Sequence, residues 1–305
     1  MWSMGSALTT IGLPVALGII MFGLGLSLTP RDFARVATQP KAVIVALGCQ
    51  LVLLPAICFG LVLLFQLPPV LAVGMMMLAA SPGGTTANLY SHLFRGDIAL
   101  NISLTAINSV IAVVTLPIIT NLAIAYFDPF DGELGMQWAK TAEVFAIVLL
   151  PVALGMIVRR VRPGFADGMD KPVRIVSVIV LVVVIAGAVA SNWALLVDNV
   201  ASLALITVLF CLISLAVGYL VPRLLRVGQR QAVASSFEIG IHNATLAIVI
   251  AQTVLGSMEL SLPAAVYGVL MFFIAFGFGF VIRGRGDAAA AEREERDGAA
   301  ERVPS

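Results

Sequence analysis

The sequence predicts an all-α polytopic membrane protein, with about nine transmembrane helices in inverted repeats, and three observations predict it. Sixty per cent of the 305 residues are apolar and 11% are charged, and a mean hydropathy of +1.04 lies outside the range of soluble domains. The apolar residues form runs long enough to cross a hydrocarbon core, which takes about 20 helical residues. The charges collect between those runs.

The first run covers about 7–28 and has no Lys or Arg before it. A secretory signal peptide is not expected there, because the charged leader is missing and the run is too long. Thr29-Pro30-Arg31-Asp32 ends it. The second run, 41–65, holds Gln50 five residues before Pro55 and stops at Leu67-Pro68-Pro69. The third, 70–92, contains Ser81-Pro82-Gly83-Gly84-Thr85-Thr86-Ala87-Asn88. Proline brings no N–H and the two glycines relax the chain, so this helix should break near mid-membrane. Arg95-Gly96-Asp97 leads into the fourth run, 98–126, where Asn101 and Thr105 stand four apart on one face.

Asp128-Pro129-Phe130-Asp131-Gly132 separates the fourth run from the fifth, 140–159, and Arg162-Pro163-Gly164 follows. The sixth and seventh runs are 173–191 and 201–221. The eighth, 231–256, holds Phe237-Glu238-Ile239-Gly240-Ile241-His242-Asn243. The ninth, 262–282, places Tyr267 beside Met271, Phe272 and Phe273, either ordinary packing aromatics or a partly apolar wall suited to an amphipathic acid. Residues 1–283 therefore read as one transmembrane domain. From 284 to 305 the chain is Ala, Glu, Arg, Asp and Gly, which reads as a disordered charged cytoplasmic tail. Cys49, Cys58 and Cys211 all lie within apolar runs and read as small buried hydrophobes, not as a disulfide framework.

Charge supports the count of nine. All of the 18 Lys and Arg residues except Lys140 fall after odd-numbered spans or in the C-terminal tail. By the positive-inside rule the N-terminus lies outside and the C-terminus in the cytoplasm of an inner-membrane protein. A net charge of +1 gives no sign of a nucleic-acid partner.

Glu238 is the one carboxylate deep in any span. A charge at bilayer depth costs at least ~2.5–3.5 kcal/mol on insertion scales, so it marks function. Spans three and eight are five apart in the count, an odd number, and so cross the bilayer in opposite directions. Paired interruptions in two inverted halves point to a transporter site. Spans one to four would then correspond to six to nine, with span five unpaired. Carbonyls released at a break, with carboxylate, hydroxyl and amide oxygens beside them, suit sodium. Glu238, Asn88, Asn101, Thr105 and Gln50 supply such oxygens.

Gly-Leu-Gly-Leu-Ser-Leu-Thr at 23–29, Gln50 with Pro55, Ser-Pro-Gly-Gly-Thr-Thr-Ala-Asn at 81–88, Arg-Gly-Asp-Ile-Ala-Leu-Asn at 95–101 and Glu-Ile-Gly-Ile-His-Asn at 238–243 together resemble the bile acid:sodium symporter family. The resemblance runs from about residue 8 to 283. It implies ten helices in two inverted five-helix repeats, or nine when the first is absent, the shorter form fitting this chain. It also implies two sodium sites behind the crossing of the broken helices. One would use Asn88, Asn101, Thr105 and Glu238, with Ala87 where the family usually has serine. The other would use Gln50, Glu238 and the carbonyls of Ile239 and Ile241, with His242 where the family usually has glutamine. Thr85, Thr86 and Asn243 would face an organic anion, bile-acid-like or a small pantoate-like carboxylate, at the half-helix N-termini.

His242 stands one turn after Glu238. Three roles suit it: bonding a broken helix end, replacing a sodium-site residue, or acting as a protonatable switch. His92, near Arg95, reads as interfacial. The function expected is sodium-coupled import of an organic anion by alternating access. The alternative is a proton-coupled or exporting transporter of the same fold, working through Glu238 and His242. A hydrolase would need Ser81, Ser91, Ser235 or Ser236 with His92 or His242, but no Gly-x-Ser-x-Gly elbow occurs. No P-loop or dinucleotide fingerprint appears either, and no cofactor other than sodium is implied.

Overall fold

The computed structural model describes residues 13–29, 38–128, 138–191 and 193–300. The start of the first span at 7–12 and the turn signals at 30–32 and 129–132 lie outside the described residues, as does the end of the tail at 301–305. The described residues are helical, and each predicted span is a helix or a broken pair of helices. In chain order these are α1 Leu13–Ser27, α2 Pro40–Leu64, α3 Pro69–Ala80, α4 Thr86–Leu93, α5 Ile98–Phe127, α6 Trp138–Val161, α7 Pro163–Ser191, α8 Trp193–Leu224, α9 Gln229–Gly240, α10 Ala244–Val254 and α11 Leu262–Ala300. Among them α2, α5, α8 and the apolar start of α11 are long and apolar enough by themselves to cross a bilayer. The chain is a multi-pass membrane protein. Helix α11 continues past 283 to Ala300. Ala, Glu and Arg are strong helix formers, and here they outweigh the lack of an apolar face.

The helices form two groups. One consists of α1, α6 and α7; the other holds α2 to α5 with α8 to α11. Small residues bring helices close within the first group. A Cβ placed on Gly155 would lie 2.3 Å from the Phe22 carbonyl oxygen and 2.8 Å from Gly25 Cα. In α5 the lipid-facing stripe Val110, Val114, Ile118 and Leu122 recurs every fourth residue, opposite the buried Asn101, Thr105 and Asn108.

The backbone carries the inverted repeat that the side chains conceal. Helices α3 and α9 are both 12 residues long and both follow a residue in the polyproline region, Pro68 or Gly228. Each is preceded by a left-handed residue closing the previous helix, Gln66 (φ 50°) or Arg226 (φ 59°). Even the closing bonds match, since Leu67 N–H reaches the Val62 carbonyl as Val227 N–H reaches that of Pro222. These pairs all stand 160 residues apart in the numbering. The α2–α3 and α8–α9 turns are thus one unit used twice.

The connections after odd-numbered spans share one end of the bundle. Gln39 donates to Asp97 (3.2 Å) and accepts from Gln231 (2.9 Å). Asp97 accepts the Leu100 N–H, capping α5, and its own N–H reaches the Arg230 carbonyl. Gln229 donates to the carbonyl of Ile282.

Candidate ion and anion site at the helix crossing

The two breaks meet. Gly83 and His242 form an antiparallel β-bridge, in which Gly84 N–H donates to the Ile241 carbonyl at 2.7 Å and Asn243 N–H to that of Pro82 at 2.8 Å. Backbone groups freed by each break satisfy those of the other, as groups inside a bilayer must be. In a continuous helix the Asn243 N–H would close onto the Ile239 carbonyl. Its bond to Pro82 releases that oxygen. Gly83 is required for the contact, because a Cβ there would lie 2.3 Å from the Glu238 carboxyl carbon.

Glu238 is fully buried behind this crossing. Thr105 Oγ1 donates to Oε2 at 2.5 Å and Asn108 Nδ2 to Oε1 at 3.1 Å. Asn101 donates to Ser91 Oγ and to the Ala234 carbonyl, one turn before Glu238, both at 2.8 Å. The carboxamide oxygens of Asn88, Asn101 and Asn108 are buried and accept no hydrogen bond. Buried polar atoms are almost always satisfied, so these three acceptors on α4 and α5 stand out, and Asn108 carries one of them directly beside the carboxylate. Among the described residues no three His, Cys, Asp or Glu side chains cluster as a metal site. The donor set is hard oxygen with a single negative charge.

Gln50 and His242 also come together, but at a different atom. Gln50 Nε2 donates to the Ser81 carbonyl at 2.9 Å, and His242 Nδ1 lies 3.3 Å from the same oxygen. The structure ties Gln50 to the opposite break rather than to Glu238, and leaves its Oε1 without a partner. Gln50 sits in a π-helical turn, Cys49–Leu53, which Pro55 favours because it offers no N–H to the Leu51 carbonyl. The His242 ring stacks on Phe210 (centroids 5.6 Å, 14°) and meets Tyr267 edge-on (5.3 Å). A neutral Nδ1–H imidazole fits the carbonyl contact, and Nε2 has no partner.

A cavity of about 910 Å³ lies between the two helix groups. Gly84, Thr85, Thr86, Asn88, His242, Asn243 and Thr245 form its polar wall at the crossing. Ile20, Met21, Met271, Phe272 and Phe273 form apolar walls, and Arg159, Asp167 and His92 also line it. The α11 wall expected from Tyr267, Met271, Phe272 and Phe273 lacks its polar member. Tyr267 is fully buried and turns its hydroxyl to the Gly240 carbonyl at 2.9 Å, because the end of α9 leaves that oxygen without a helical donor.

The half-helix N-termini are also less open than sequence suggests. The Asn243 side chain accepts the Leu246 N–H at 3.0 Å, and the Ala87 and Asn88 N–H groups turn back to Gly84 and Thr85. Thr85 is exposed and Thr86 half-buried.

Sequence reading missed Asn108 and Arg159. Asn108 continues the Asn101, Thr105 face at the next turn, a period that was available in the sequence. Arg159 reads as a loop charge, yet it pairs with Asp167 across the α6–α7 turn and lines the cavity. Of the candidate serines, Ser81 Oγ bonds the Leu78 carbonyl and Ser236 Oγ that of Leu215.

A buried carboxylate behind two crossed, broken helices, with a cavity between two helix groups, is the architecture of a secondary transporter. The chain belongs to the Sodium Bile acid symporter family, whose model matches residues 14–220. That is a family of transporters, not enzymes. It is similar to the "Uncharacterized sodium-dependent transporter YocS" of Bacillus subtilis (strain 168), 29% identical over 259 residues, covering 84% of this chain and 78% of that protein. It is also similar to the "Probable sodium/metabolite cotransporter BASS2, chloroplastic" of Oryza sativa subsp. japonica, 25% identical, covering 88% of this chain and 63% of the relative. The human "Sodium-dependent organic anion transporter" is 27% identical, covering 80% of this chain. The match spans 64% of that human protein's length, as it spans under two thirds of the rice protein.

Proposed function

We propose that this protein imports an organic anion together with sodium by alternating access across the cell membrane, with its N-terminus outside. The observation that carries the reading is the fully buried Glu238 carboxylate on α9, in a bundle where the buried oxygens of Asn88 on α4 and Asn101 on α5 have no partner. A buried charge needs a partner. Sodium would neutralise Glu238 and bring those oxygens and Thr105 around one cation. The Ile239 and Ile241 carbonyls and the Gln50 amide, near His242, are the candidates for a second ion. Because Asn88 lies on α4, Thr105 on α5 and Glu238 on α9, ion binding would draw these three helices together and shape the face that meets the anion.

That face is Thr85, Thr86 and Asn243, where two helix N-termini point their positive ends toward the cavity. A carboxylate or sulfonate suits it, and the apolar side of the cavity suits an amphipathic acid. Relatives named for sodium-dependent transport support the coupling ion. The cavity reaches from the crossing to Arg159 and His92, at the end where the basic connections gather. That supports a cavity open to the cytoplasm.

The test is uptake of a panel of labelled organic anions into proteoliposomes, with sodium and pH gradients imposed separately. Glu238→Ala is expected to abolish sodium-driven uptake while the protein still inserts. Uptake driven fully by a pH gradient in sodium-free buffer would replace this reading with the proton-coupled one, for which the unpartnered Nε2 of His242 is the supporting observation.

A further inference from the structure

Asn108 is buried against Glu238 with half of its carboxamide unpartnered. It lies seven residues after Asn101 and three after Thr105, so all three share one face of α5. Its side chain is 1% exposed. Its amide nitrogen donates to Glu238 Oε1 at 3.1 Å, and its Oδ1 has no partner. The carboxylate can only accept, so the nitrogen must face it and the oxygen must face elsewhere. Orienting Glu238 uses half of the carboxamide. The other half is a desolvated acceptor held beside a negative charge.

Geometry says what fits there. The oxygen and nitrogen of an amide are about 2.3 Å apart, so Oδ1 lies within roughly 5.4 Å of Glu238 Oε1. A cation the size of calcium, with ligands at about 2.3–2.6 Å, bridges two oxygens up to about 5.2 Å apart, which covers nearly all separations allowed by that upper bound, and sodium is close to calcium in radius. The second Glu238 oxygen is already bonded to Thr105, one turn back on the same face.

We infer that Asn108 is a further ligand of the coupling ion: its Oδ1 joins Glu238 in holding sodium while its amide fixes the carboxylate. The inference rests on the sodium reading above. It adds one oxygen from α5, so that three polar residues at successive turns of one helix face, Asn101, Thr105 and Asn108, would line one ion site.

The test is sodium titration of the purified full-length protein, followed by thermal unfolding with choline as the balancing cation. Wild type is expected to be stabilised by sodium, and Glu238→Gln is not. Asn108→Ala is expected to raise the half-saturating sodium concentration about tenfold, whatever the loss of the amide donor to Glu238 does to the sodium-free unfolding temperature. Asn108→Asp keeps an oxygen but sets a second negative charge beside Glu238. It is expected to lower the sodium-free unfolding temperature and to regain most of it in sodium, which also serves if the alanine variant does not fold. A lower sodium-free unfolding temperature with unchanged half-saturation in Asn108→Ala would show a structural role and overturn the inference alone. Wild-type protein indifferent to sodium would overturn both this inference and the reading beneath it.

Discussion

Gly83 sets how closely the two broken helices approach. Its missing side chain is the space in which the Glu238 carboxyl group sits. Gly83→Ala is expected to push the bridge apart at a cost of about 1–3 kcal/mol, typical of overpacking. It should lower the unfolding temperature and abolish uptake while leaving membrane insertion unchanged. At this scale much was legible in sequence. Glu238, Asn88, Asn101 and Thr105 stand out because polar groups are scarce and expensive in apolar spans. Asn108 was missed because a lone amide in a long helix resembles any other until its partner is known, and that partner is 130 residues away. Tyr267 misled for the converse reason: a hydroxyl near a cavity need not face it. Its orientation follows from a carbonyl freed at the end of α9.

Among elements, the contact between α1 and α6 depends on glycine. Gly25 and Gly155 place the two backbones together, the small-residue packing that substitutes for a hydrophobic drive between helices in lipid. Gly155→Leu would set a branched side chain against the Phe22 carbonyl. It is expected to destabilise the α1, α6, α7 group by about 1–3 kcal/mol, seen as a lower unfolding temperature in detergent with Glu238 and its partners untouched. The broken spans themselves were readable, because Pro82, Gly83 and Gly84 forbid a continuous helix. The repeat was not. Its two halves share turn geometry and helix length, and several different residues can satisfy a left-handed closing position: Gln66 does so in one half and Arg226 in the other.

For the whole molecule the question is which side the cavity faces. Cys49, Cys58 and Cys211 are buried and free, so a cysteine introduced at the exposed Thr85 can be read against a quiet background. Thr85→Cys is expected to react with a membrane-impermeant maleimide in inside-out vesicles and far less in right-side-out ones. Sodium with a transported anion should raise labelling from the outside. Equal labelling from both faces under all conditions would contradict alternating access.

Sequence alone determined the class, the number of spans, the two breaks and most of the polar groups between them. Those are local facts: run length against bilayer thickness, a proline without an N–H, a charge where none is cheap. Only the tertiary structure decided what the groups do to one another. It bridged Gly83 to His242, gave Glu238 to Thr105 and Asn108, sent Gln50 to the Ser81 carbonyl and opened a cavity beside Arg159. Such pairings join residues from distant spans. They depend on how the two halves cross, and a one-dimensional pattern does not encode the angle of a crossing.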